Sequence, residues 1–104
     1  MNGLPNEIFR RWGHSFEEDA GGMKVYRPID FEFPRARGRD GIEFRPDGTF
    51  IDWTVGRGDA NEGIPGKWNL EDPSHLRIDF EENTRPSLRL EILQSDSEVL
   101  KIRA

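Results

Sequence analysis

Alternation is the clearest signal in the chain. In Leu76-Arg77-Ile78-Asp79-Phe80, Leu88-Arg89-Leu90-Glu91-Ile92 and Leu100-Lys101-Ile102, apolar residues take every second position and charged residues fill the places between. A period of two marks a strand with one buried and one wet face. The connections at 82–86 and 94–97 are short and polar, so these strands are expected to run as an antiparallel meander. A further hairpin is expected from Gly41 to Val55 around Pro46-Asp47-Gly48. A three-residue bulged loop there sets Phe44 opposite Phe50 and turns Ile51, Trp53 and Val55 to the other face; a two-residue turn sets Phe44 opposite Ile51 and Ile42 opposite Trp53. The Pro-Asp-Gly order favours the bulged loop, because proline fixes the first corner and glycine supplies the left-handed residue.

The N-terminal third alternates Trp12, His14 and Phe16 with Arg11, Gly13 and Ser15, which predicts a first strand running to Phe16. Glu17 to Gly22 is its turn, Met23 to Arg27 the second strand, and Pro28 its stop. Residues 31–39 are too irregular for a strand. Residues 56–66 contain five glycines or prolines and read as a loop leading to a strand at Lys67-Trp68-Asn69-Leu70. Leu4 to Arg10 predicts one helical turn closing an end of the fold, with an early proline and Asn6 as its cap. The sum is an all-β chain of about eight antiparallel strands, mainly an up-and-down meander, in one domain spanning 1–104.

Composition sharpens this reading. Of 104 residues, 34% are apolar and 34% charged, with eleven aromatics and no cysteine. Strands buried on one face need only that much apolar material, whereas a doubly wound nucleotide-binding fold needs more. No apolar run is long enough for a membrane span or the core of a signal peptide, so a cytoplasmic protein without membrane association is expected. Absence of cysteine removes disulfides, thiolate metal sites and thiol nucleophiles. The net charge of -5 argues against nucleic acid as a partner.

The order Phe44-x-x-Asp47-Gly48-x-Phe50, then Gly66-x-Trp68, then three Leu-x-Ile/Leu strands resembles the small bacterial lipocalin-like β-barrel family. The first half, with Trp12-Gly13-His14-Ser15-Phe16, Val25-Tyr26-Arg27-Pro28 and Arg37-Gly38-Arg39, is likewise similar to a small bacterial family without an assigned activity. The lipocalin-like resemblance implies a closed meander whose Gly-x-Trp tryptophan plugs or packs the barrel. A chain this short, with Phe, Leu, Ile and Trp pointing inward, is expected to have a mostly filled interior and at most a shallow mouth pocket.

Candidate chemistry is sparse. His14 and Ser15 are strand neighbours and point to opposite faces, so they do not form a nucleophile and base pair. The spacing of His14 and His75 carries no metal signature, and Glu17-Glu18-Asp19 lacks the alternation of a calcium loop, so no metal or other cofactor is expected. Arg57-Gly58-Asp59 matches an adhesion tripeptide at chance level and carries no argument. The chain has twelve arginines against three lysines, and Arg35, Arg37 and Arg39 crowd one loop. Their planar forks suit carboxylate or phosphate, from a ligand or from Glu17, Glu18, Asp19 or Asp30 of the same chain. Trp12 and Trp68 are expected in the core and Trp53 outside.

The leading expectation is a non-enzymatic barrel that binds a partner protein or a small anionic ligand, with Arg37, Arg39, Tyr26, Trp53 and His14 as binding residues. A barrel enzyme with His14 as base and Arg37 or Arg39 holding an anionic substrate is the alternative. A structural protein that forms a homodimer through Ile51, Trp53 and Val55 is the third.

Overall fold

The computed structural model describes residues 4–36, 38–56, 60–82 and 85–104. Its eight strands are β1 (Arg11–His14), β2 (Met23–Pro28), β3 (Gly41–Phe44), β4 (Thr49–Val55), β5 (Asn61–Asp72), β6 (His75–Phe80), β7 (Leu88–Ser95) and β8 (Leu100–Arg103). They close into one antiparallel barrel in the order β1-β2-β8-β7-β6-β5-β4-β3. From β3 to β8 the chain is the expected meander. Between β2 and β3 it is not, because β1 pairs with both and residues 29–40 must cross it.

The β3–β4 hairpin has the bulged register. Phe44 faces Phe50 and Gly41 faces Trp53. The Arg45 amide donates to Thr49 O at 2.9 Å and Gly48 sits at φ 94°, a conformation glycine takes without steric cost. The three C-terminal strands also lie where alternation places them.

Elsewhere the chain departs from expectation. β1 ends at His14 rather than Phe16, because Phe16–Glu18 turns into a short 3-10 helix that leaves Phe16 45% exposed. The stretch 56–66 is not all loop: β5 begins at Asn61 and pairs through Gly63 and Pro65 with Trp53 and Ile51. Pro65 is tolerated since β6 pairing starts only at Gly66 and the β4 ladder asks nothing of its missing N–H. Gln94 and Ser95, expected in a turn, belong to β7, and the turn itself follows, with Asp96 accepting from the amides of Glu98 and Val99. The N-terminal helical turn is the 3-10 segment Asn6–Ile8, with Pro5, not Asn6, in the cap position. The expected turn at 82–86 lies partly outside the described residues, and Arg57-Gly58-Asp59 lies wholly outside them.

The barrel has a filled end and a hollow end. At the filled end Leu4, Ile8, Trp12, Phe44, Trp68, Leu76, Ile78 and Leu100 belong to one buried cluster that continues through Tyr26, Ile42, Phe50, Leu90 and Ile102 toward the hollow end. Both expected core tryptophans are there, and each buried indole N–H is satisfied: Trp12 donates to Ile8 O at 3.0 Å and Trp68 to Arg45 O at 2.9 Å.

Outside, the crossing segment packs Phe33 on Gly13. On the far side of β1, Gly41 lies so close that a Cβ would overlap the Trp12 carbonyl oxygen, backbone that no rotamer change can move. Gly41→Ala is therefore expected to cost about 3 kcal/mol or more in urea unfolding. Gly48→Ala, with open space around it and only the left-handed backbone to strain, should cost about 1 to 2 kcal/mol. Equal losses would show that the β1–β3 seam has room to spread.

Candidate functional site

The hollow end is built from strand termini. Parity along β2 turns Lys24 and Tyr26 inward, β3 contributes Ile42, and β4 contributes Phe50, Asp52 and Thr54, the residues left inside once the bulged turn sets Trp53 outward. Leu88 and Leu90 from β7 and Ile102 from β8 complete the walls. They enclose about 470 Å³, inside the range of roughly 300–1,000 Å³ typical of small-molecule sites. The interior is thus not mostly filled: apolar side chains supply the floor, and the polar groups gather near the opening.

Two of those polar groups are neutralised by the chain itself. Asp52 pairs with Arg85, which comes from beyond β6 and stacks at 4.8 Å on Phe80. Asp40 accepts from His14 Nδ1 at 3.1 Å. The Lys24 side chain makes no ion pair or hydrogen bond among the described residues, and its charge acts on Asp40 only through space.

His14 stands just behind the cavity wall. It is 8% exposed, its ring stacks on Tyr26 at 4.9 Å, and Nε2 reaches Asp19 at 2.8 Å. With a carboxylate on each ring nitrogen the imidazole is a double donor, hence an imidazolium. The Asp40 hydrogen bond raises its pKa most, burial opposes, and Asp19 adds to the rise. At Asp40 burial pulls upward but is outweighed by the hydrogen bond and charge of His14, so that carboxyl lies below its usual range. Burial, with the carboxylates of Asp40, Asp19 and Asp52 nearby, pushes the Tyr26 phenol well up, so it stays protonated.

We found no match to the chain among protein-family models, curated proteins or solved structures. The site therefore rests on its own geometry. Among the described residues no three His, Asp or Glu side chains are placed to hold a metal ion, and no helix is long and apolar enough to cross a membrane.

In the arginine loop, Arg39 is occupied from within. Arg39 grips Glu17 with both terminal nitrogens at 2.8 Å, donates to the carbonyls of His14 and Pro34, and lies between the rings of Phe16 and Phe33. Its four terminal N–H groups are all used. Arg37 lies outside the described residues. Glu17 pairs with Arg39 and Glu18 with Arg27, while Asp19 shares His14 with Asp40. The Arg39 hydrogen bond holds Glu17 at about 2, and Arg27 with the Ser15 hydroxyl holds Glu18 at about 2.

Trp53 lies outside the barrel, half-buried beneath the Arg11 guanidinium at 4.1 Å and donating to Glu43 at 3.0 Å. Ile51 beside it is only 8% exposed, while Val55 is 43% exposed. Of the expected residues, Tyr26 lines the cavity and His14 touches it from behind; Arg39 and Trp53 face other parts of the surface. Sequence reasoning missed Lys24, Asp40, Asp52 and Arg85. Two could have been found: Lys24 shares the inward parity of Tyr26, and the bulged register that turns Trp53 out turns Asp52 in.

The His14 cluster sets a pH dependence. A raised histidine pKa contributes stability that is full below the ordinary value of 6.5 and is lost as pH rises through the folded value. The lowered carboxyls act in the opposite sense, losing their contribution as pH falls from 4.5 toward 2 at Glu17 and Glu18. The urea midpoint should therefore peak between these limits and decline above pH 6.5. His14→Gln should flatten the upper decline, with His75→Gln as the exposed control, since its pKa is also raised, by Asp72. A decline of the same slope in wild type and His14→Gln would refute the assignment.

Proposed function

We propose that the protein is a non-enzymatic binding barrel whose ligand is a small anionic amphiphile held in the hollow end. The observation that carries this reading is the pairing pattern of the cavity. Asp52 has Arg85 and Asp40 shares His14 with Asp19, whereas the Lys24 ammonium faces the opening with no hydrogen bond or ion pair among the described residues, only the longer-range attraction of Asp40. An apolar body would cover Phe50, Ile42, Leu90 and Ile102, and its anionic group would complete Lys24.

This reading puts the anion site at the cavity mouth and not at the arginine loop, where the four terminal N–H groups of Arg39 are already engaged and only its Nε–H is left. It also bears on catalysis. A general base needs a free lone pair, and both nitrogens of His14 are held by carboxylates. The outward stripe is largely covered by the chain's own Arg11 and by Trp53 packed on Gly63, so packing within the chain accounts for it without a second copy.

Isothermal titration with decanoate tests the reading. One molecule is expected to bind per chain. Lys24→Ala should weaken binding several-fold at low salt, with the difference shrinking as salt is added. Leu90→Trp, which fills the cavity, should abolish it. Unchanged affinity in Leu90→Trp would place the ligand elsewhere.

A further inference from the structure

Tyr26 carries a polar group that the fold does not use. Its side chain is 4% exposed and lines the cavity, yet among the described residues its hydroxyl has no hydrogen-bond partner. The oxygen is not sealed among packed atoms but reaches the open space of the cavity. The contrast with its neighbours is sharp, since Trp12, Trp68, His14 and the 2% exposed Ser15 are each satisfied by their own chain. Only the cavity remains for the Tyr26 hydroxyl to serve.

The phenol keeps its proton, so its hydroxyl can donate to a ligand oxygen and can also accept from a ligand hydroxyl. Lys24 lies two residues away on the same face of β2, about 7 Å between Cα atoms. A ligand whose anionic end meets Lys24 therefore presents a point several bonds along its body to Tyr26.

We infer that Tyr26 determines specificity: its hydroxyl donates to an oxygen carried on the apolar body of the ligand, which makes that ligand a keto or hydroxy acid rather than a plain alkyl acid. The inference rests on the reading of the cavity as the binding site. A plain chain would leave the hydroxyl unpaired, and a site built around one hydrogen bond discriminates against ligands lacking it.

The test is titration of wild type and Tyr26→Phe with decanoate and with an oxodecanoate bearing its ketone midway along the chain. Wild type should bind the keto acid about tenfold more tightly. Tyr26→Phe should lose that preference, keep its affinity for decanoate, and unfold at a urea concentration no lower than wild type, because no bond in the free protein is lost. Three results would overturn the inference: equal affinities in wild type, a preference that survives Tyr26→Phe, or a lowered urea midpoint, which would give the hydroxyl a structural role. In the first two, decanoate binding still stands and with it the cavity reading; a wild type that binds neither acid overturns both.

Discussion

Everything in this barrel depends on four residues serving two seams. β1 pairs with β2 on one side and β3 on the other, and without it the meander from β3 to β8 would end in two open edges. So short a strand has few ladder hydrogen bonds to offer. It is held instead by what surrounds it: Trp12 inside, Phe33 laid on Gly13 outside, the close approach of Gly41, and His14 fixed between two aspartates. The irregular crossing segment is the means by which the chain returns to the far side of β1. Arg39, buried among carbonyls, Glu17 and two aromatic rings, fastens it there.

The same arrangement shows how local charge can be paired by distant parts of the chain. Arginine density between residues 35 and 39 has the look of an anion site in a linear reading. In three dimensions the acidic run 17–19 lies against cations from three different elements and consumes them. Among the described residues lining the cavity, Lys24 is a cation without a direct ion pair, and nothing in its immediate sequence distinguishes it. Charge pairing is a property of long-range contacts, and those are what a one-dimensional reading lacks.

How much was legible follows from range. Period-two alternation is local, and it located β6, β7 and β8; the Pro-Asp-Gly turn is local, and it fixed the register that puts Trp53 outside and Phe50 inside. Asp52 and Thr54 followed from that register, had parity been carried one step further. The insertion of β1 between β2 and β3 depends on pairing between residues about thirty apart, and no periodicity reports it. β5 was truncated in the sequence reading because Gly63 and Pro65 punctuate chains locally, whereas here Trp53 and Ile51 cover the glycine and the proline sits beyond the reach of β6 pairing.

The division of the interior into a filled end and a hollow one has a consequence for how such a protein changes over generations. Trp12, Trp68 and Phe44 lie away from the opening, but the cluster they belong to runs on through Tyr26, Ile42, Phe50, Leu90 and Ile102, which form the cavity wall. Only wall residues outside that cluster, such as Lys24, Thr54 and Leu88, can then drift in size and polarity without disturbing the packing. A lineage built on this plan can vary the outer ends of its strands and keep a folded chain, whereas a change deeper in the wall is also a change to the core.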